Sequence, residues 1–429
     1  MGFLDRLLRR TKKTTIIALD GVNYSFIKEM YKKGEFHNLG GSNFMEISSV
    51  HSSDSTVIWS TFLTGKNPGK HNIFGSEDIN KKNSEMYTTL FSNLKSKTIW
   101  EYFNEQKKRI FLMNIPLTYP PSKINGMMIS GFPCTDLAKG TYPRDLTTPL
   151  KNMSYRIDVE SSLALENLEK FLKNLDRTFE ARKKVMYHYM KEDWDLFMIR
   201  FTEQERLNHF MLENWLEDGP FKEEYLEIYK KLDKMVGKVR ENIGADENLI
   251  VMSTYGFSPI KSEVQLNYWF KEKGYLEDIK RISNLTPQTK AFSLPFGRVY
   301  INESSAGYKK FRQKLVYELQ NLRNPISGEE IIDNVFLKEE IYNGPYLERA
   351  PDIILNPKYG YDLKGDFHCR EFMTKGLRTG MHVTRDSFVY CNQDMKDEDP
   401  KLVDFFPTLM ELARIKKPND LEGDSILNS

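Results

Sequence analysis

The chain has 429 residues, 40% of them hydrophobic and 28% charged, enough for one large α/β domain with insertions or for two smaller domains. With 62 basic against 60 acidic side chains the net charge is +2, which excludes a general electrostatic pull toward nucleic acid or anionic lipid. Three scattered cysteines, Cys134, Cys369 and Cys391, exclude a disulfide framework and a zinc ribbon, and point to reduced thiols in a cytoplasm.

The chain opens MGFLDRLLRRTKK, where Phe3, Leu4, Leu7 and Leu8 can share one helical face beside Arg6, Arg9 and Arg10. An ordinary N-terminal helix or basic arm is the simpler reading; weak membrane-surface contact through residues 1–13 is the alternative. No secretory signal and no apolar run of ~18 residues is present. The expectation is therefore a cytoplasmic protein, with peripheral placement at the inner membrane face as the variant.

Thr14–Leu19 (TTIIAL) is a short apolar run that ends in Asp20-Gly21, as a buried strand meets its loop. Asp20 could ligate a metal at the sheet's edge or simply cap a turn, and the residues alone favour neither. Next comes HSSDSTVIWSTFLTG, residues 51–65. Its polar cluster Ser52 to Thr56 precedes an apolar helical run that stops at Gly65, a natural helix-ending glycine. A hydroxyl at such a helix start sits where backbone N–H groups favour phosphate or a developing alkoxide, although a plain N-cap is the commoner use.

Further strands are expected at Ile110–Ile115, 127–130, 195–201, 249–253, 352–355 and Ser387–Cys391, with a helix over 224–243 carrying Ile228, Leu232, Met235, Val236 and Val239 at helical spacing. Strands alternating with helices predict an α/β fold: a doubly wound, largely parallel sheet with helices on both faces, spanning 1–429 as a single domain. Segments 76–97 and 132–154 read as insertions, and 258–302 as a cap or subdomain. Within 195–209 a strand delivers the chain to a helix on which Glu205 and His209, four apart, share one face and could bind one metal. His382, just before the last strand, is a third candidate imidazole. His37, His51, His71, His188 and His368 are taken as structural or exposed.

Read in order, IIALDG, WSTFLTGKNPGKHNIFG, NIPLTYPP with MMISGFP, FTEQERLNHF, LNYWFKEKGYL, AFSLPFGRVYIN and the tail VDFFPTLMELARIKKPNDLEGDSIL resemble the alkaline phosphatase superfamily. The nearest branch is the type I phosphodiesterase/nucleotide pyrophosphatase group, and the resemblance covers nearly the whole chain. It implies two metals, usually zinc, about 4 Å apart, clamping a phosphoryl group. It places the nucleophile on Ser55, with Thr56 as fallback, and makes Asp20 a ligand of the metal that activates it. Glu205, His209 and His382 would bind the other metal.

The resemblance also exposes a departure. Where the family carries Asp-His-Gly after a strand, this chain has Thr254-Tyr255-Gly256, and neutral Thr and Tyr oxygens replace a carboxylate and an imidazole poorly. One metal site, a carboxylate and two imidazoles, stays sensible for zinc; the other is degenerate. The implied cofactor is zinc, one ion or at most two, with manganese or magnesium as substitutes. Losing one oxyanion-hole donor costs ~2.7–4 kcal/mol, so losing a metal should slow chemistry at least ~100- to 1,000-fold.

Besides a structural role at a membrane or polysaccharide-assembly complex through the N-terminal helix, two functions follow. One is a metal-dependent phosphoester hydrolase using Ser55 on a phosphodiester, a pyrophosphate or a sulfated analogue, with Asp54 or His51 as the nearest substitute groups. The other is a catalytically degenerate protein binding a phosphorylated ligand or a partner protein. Either way the expected ligand is a phosphorylated small molecule or nucleotide-like anion, not nucleic acid.

Overall fold

A computed structural model describes residues 13–41, 43–81, 84–244, 247–302, 305–396 and 399–428. The basic, apolar face expected over residues 1–13 lies, save for Lys13, outside these. Among the described residues no helix is long and apolar enough to cross a membrane.

The centre is an eight-stranded sheet. Its spatial order is Phe44–Ile47, Ser387–Cys391, Asn248–Ser253, Thr14–Leu19, Leu196–Phe201, Ile110–Ile115, Gly126–Ser130, Thr141–Tyr142. Asn248–Ser253, Thr14–Leu19, Leu196–Phe201, Ile110–Ile115 and Gly126–Ser130 run parallel; Ser387–Cys391 and Thr141–Tyr142 pair antiparallel to them, and Phe44–Ile47 pairs antiparallel to Ser387–Cys391. Every residue of Thr14–Leu19, Ile110–Ile115, Leu196–Phe201 and Asn248–Ser253 is buried. Since alternate side chains point to opposite faces, burial of both sets requires cover on both sides, which explains why these strands read as unbroken apolar runs. Helices Leu168–Tyr189, Glu203–Leu216 and Lys222–Asn242 pack on one another, as do Ser55–Thr64 and Phe405–Leu412.

Most expected strands fall within a residue or two of their observed limits, but 352–355 does not join the central sheet. It forms Ile353–Pro357 of a separate four-stranded antiparallel sheet with Ala291–Leu294, Arg298–Ile301 and Ile332–Leu337. A short apolar run cannot by itself declare which sheet it pairs with. This sheet carries its own core, including Val264, Phe270, Val299, Leu315, Leu319, Ile353 and Leu363. The layer that begins in the expected 258–302 segment thus continues well past residue 302, and Ile79 from the 76–97 segment joins it.

Thr14–Leu19 lies between Asn248–Ser253 and Leu196–Phe201, with Ala18 level with both Met252 and Arg200. The residues just beyond these three carboxyl ends therefore converge, which is where ligands bind in open α/β sheets.

Candidate active site

Two structural halves meet at this edge. In the first, Asp20 is completely buried. Its Oδ2 accepts hydrogen bonds from the Trp59 indole N–H at 2.6 Å and from Arg200 Nε, and its Oδ1 accepts from the Thr254 hydroxyl at 2.7 Å and the Thr254 N–H at 3.2 Å. The structure thus gives Asp20 to an arginine, an indole and a threonine, and does not bring it into the group with Glu205, His209 and His382. Arg200, on the same sheet face two residues down the neighbouring strand, reaches up to it. Its Nη2 donates to Glu205 Oε2 at 2.8 Å and to the Tyr255 hydroxyl oxygen at 2.9 Å. Burial disfavours a charge there, yet Tyr255, Glu205 and Asp20 push the arginine's pKa well above its ordinary value. Burial likewise pushes the Tyr255 phenol well up, so it stays neutral.

In the second half, Glu205, His209 and His382 each offer a ligand atom, all within 4.8 Å of one another. Glu205 and His209 stand one turn apart on Glu203–Leu216, as their spacing predicts. His382 arrives on Gly380–Val383, a strand pinned to that helix: Thr379 N–H donates to His209 O at 2.7 Å, and Leu212 N–H to Thr379 Oγ1 at 3.0 Å. The approach is so close that a Cβ at residue 380 would sit 2.4 Å from the Asn208 carbonyl oxygen, so glycine is needed there.

Both imidazoles are oriented by carbonyls. His209 Nδ1 lies 3.0 Å from Gly380 O, and His382 Nδ1 lies 3.1 Å from Ser53 O. A carbonyl can only accept, so each Nδ1 carries a proton, and each ring turns its Nε2 toward Glu205 Oε1, at 3.9 and 3.4 Å. His382 Nε2 is buried with no hydrogen-bond partner. Burial, reinforced by His382 and Arg378, pushes the His209 imidazole well below its usual pKa, which keeps it a neutral donor. For Glu205, burial alone would raise the pKa, but Arg206, Arg200 and His382 outweigh it and hold the carboxyl well below the usual range. One carboxylate oxygen plus two preset imidazole lone pairs, one of them orphaned, fits a zinc ion with a position to spare.

Ser55 is the first residue of Ser55–Thr64, whose N-cap Asp54 accepts from Thr56 N–H and whose end is Gly65 at φ 64°. Its side chain is half-buried and makes no hydrogen bond to any described residue, whereas Thr56 is sealed in the interior at 1% exposure. Trp59, one turn on from Ser55 along the same helical face, bonds Asp20, and the carbonyl of Ser53 holds His382. The free hydroxyl therefore stands at the helix start tied to both halves. The two neighbours weighed as substitute bases are held differently. Asp54 is committed to Thr56 N–H at 2.9 Å and to the Ser76 N–H and hydroxyl at 2.7 and 2.9 Å. His51 leans on the Phe336 ring, 4.5 Å between centroids.

Arg200, Arg206 and Trp59 escape a reading by motif. A signal for Arg200 was present: one charge inside the otherwise apolar run LFMIRF has to be paired if it is buried. A cleft of about 590 Å³ adjoins the site on the His382 side, with Ser53, Phe257, Tyr225, Phe336 and Tyr359 in its walls and Lys358 and Arg385 among its cations.

The sequence model described as type I phosphodiesterase / nucleotide pyrophosphatase matches residues 14–384. No curated protein matches the chain by sequence. Among solved structures, phosphonoacetate hydrolase from Sinorhizobium meliloti 1021, in complex with phosphonoformate, superposes with TM-score 0.65 at 14% identity, over 94% of this chain and 96% of that one. An inactive variant of murine ectonucleotide pyrophosphatase/phosphodiesterase 5 in complex with AMP gives 0.59 at 12%, over 96% and 98%. A variant of the alkaline phosphatase PafA gives 0.60 at 13%, over 97% and 98%. At such identities the likeness is one of fold.

Proposed function

The chain belongs to the type I phosphodiesterase/nucleotide pyrophosphatase family, and from that premise we propose that it acts on a phosphorylated small molecule with one metal site and Ser55 as attacking group. The observation that carries this reading is the convergence of Glu205, His209 and His382 within 4.8 Å, with Nε2 lone pairs preset and one of them unpartnered.

Glu205, His209 and His382 would hold a divalent ion, zinc by their chemistry, with manganese or magnesium as substitutes. When bound, such an ion supplies Lewis-acid polarisation of a phosphoryl oxygen. The chain's own residues do the rest. The N-terminus of Ser55–Thr64 directs its dipole at the phosphoryl group, and Ser55 Oγ, unpartnered and half-buried, is free to attack phosphorus as the ester oxygen leaves, its proton passing to solvent. The aromatic cleft beside His382 receives the organic part of the substrate, its 590 Å³ suiting a small ligand. The phosphonoformate and AMP bound by the structural neighbours are compounds of this class.

The test is zinc content together with hydrolysis of phosphodiester, pyrophosphate and phosphomonoester substrates. Ser55→Ala should lower kcat by ~1,000-fold or more, and turnover unaffected by this change would refute Ser55 as nucleophile. A second reading, ligand binding without turnover, is favoured by one specific feature: Asp20 and Asp54 are saturated by protein donors, so neither is free to take the Ser55 proton. Zinc-loaded protein that binds phosphate yet hydrolyses none of these esters would decide for it.

A further inference from the structure

We propose that Arg200 is the second cation of this site: a built-in guanidinium whose free Nη1 receives an oxygen of a tetrahedral oxyanion, a phosphoryl group or inorganic phosphate, presented to Ser55. The inference deepens the reading above and rests on the same placement of Ser55.

Four observations support it. The Arg200 side chain is only 4% exposed, so its charge is worth far more to a ligand than a surface charge. Nε and Nη2 are fully used, on Asp20, Glu205 and Tyr255, which locks the planar fork in one orientation. Nη1, by contrast, has no hydrogen-bond partner among the described residues, and it is not among the atoms sealed without one, as Arg182 Nε is. A permanently charged donor held rigid, with the two N–H groups of Nη1 left unpaired, is suited to receive an oxyanion. Finally, Asp20 is joined to both the arginine and Trp59, and Arg200 Cζ lies 5.8 Å from the Trp59 ring centroid, which sets the guanidinium beside the helix that carries Ser55 one turn away.

Thr254 and Tyr255 take on a positive role in this arrangement. Thr254 donates to Asp20, and the Tyr255 hydroxyl accepts from Arg200. Both neutral side chains fit a guanidinium, where an added carboxylate and imidazole would compete for the same space. The site's carboxylates are each met by a guanidinium: Asp20 and Glu205 by Arg200, Glu205 and Asp158 by Arg206.

The experiment titrates inorganic phosphate into the zinc-loaded full chain and counts zinc. Asp20→Asn with Arg200→Gln, which removes the buried charges as a pair, should weaken phosphate binding by at least ~10-fold, the worth of one charged hydrogen bond, while one zinc per chain remains. Unchanged phosphate affinity overturns the proposal. If that variant does not fold, Thr254→Asp with Tyr255→His decides instead. With Arg200 in place this pair should still hold one zinc, because the guanidinium fills the space. A second zinc bound beside an intact Arg200 overturns the proposal equally. Neither readout involves turnover, so a failure of Ser55 as nucleophile would show separately, in the Ser55→Ala assay.

Discussion

The halves of the site share a carboxylate-to-arginine bridge yet have opposite characters. Around Asp20 every carboxylate lone-pair direction used is met by a protein donor, and the cation is covalently part of the chain. Around His382 the side chains are held as firmly, but the His382 Nε2 has no hydrogen-bond partner. Burial is similar in both, so exposure does not distinguish them. The difference teaches that a buried carboxylate at the sheet's edge can be closed by a planar, always-protonated fork and its neutral neighbours, while a second carboxylate on the same fork faces two imidazoles.

The comparison can be broken most forcefully at Asp20. Asp20→Ala leaves the buried Arg200 charge uncompensated, and chemical denaturation should show a loss of ~3–5 kcal/mol. A loss below ~1 kcal/mol would mean that the first half is not internally closed. The matching change in the second half, His382→Ala, should behave oppositely. Zinc affinity should drop ~100-fold or more in competition with a chelator, equivalent to ~2.7 kcal/mol. Gly380→Ala sharpens the picture of how that half is held. Its Cβ cannot fit 2.4 Å from the Asn208 carbonyl, so ~1–3 kcal/mol of stability should go. Zinc should weaken along with it, since the residue's carbonyl orients His209.

The smallest effect concerns the support shared by both halves. His71 is buried against the Ser55–Thr64 helix, its Nδ1 accepting from Ile73 N–H and its Nε2 facing Thr61 Oγ1, and burial lowers its pKa to about 3. The folded protein keeps this ring neutral while the unfolded chain protonates it below about 6.5. Its contribution is therefore complete above pH 6.5 and is lost as pH falls from there toward 3, at ~1.4 kcal/mol per pH unit. Thermal melts between pH 7 and 5 should be less steep in pH for His71→Gln; an unchanged slope would refute the assignment.

Much of this molecule was readable in advance for physical reasons that are local. Period and burial coincide in TTIIAL, IFLMNI and LFMIRF because parallel strands covered on both faces must be apolar throughout. The i, i+4 spacing of Glu205 and His209 fixes a common helical face whatever the rest of the chain does. Asp54 and Gly65 bracket the Ser55 helix because caps act within a few residues. The segment around 352–355 was legible as a strand but not as a member of the second sheet, since pairing partners lie elsewhere in the chain.

What the sequence determined by itself was the order of elements, the family, and the identity of the three side chains able to hold a metal. Only the tertiary structure decided what Asp20 is for. It meets Arg200 across 180 residues of chain, through a contact set by strand order and register, which no local pattern encodes. The same long-range packing committed Asp54, freed the Ser55 hydroxyl and left His382 Nε2 unpaired. Whether a polar group is satisfied depends on everything brought beside it, and that is a property of the folded chain.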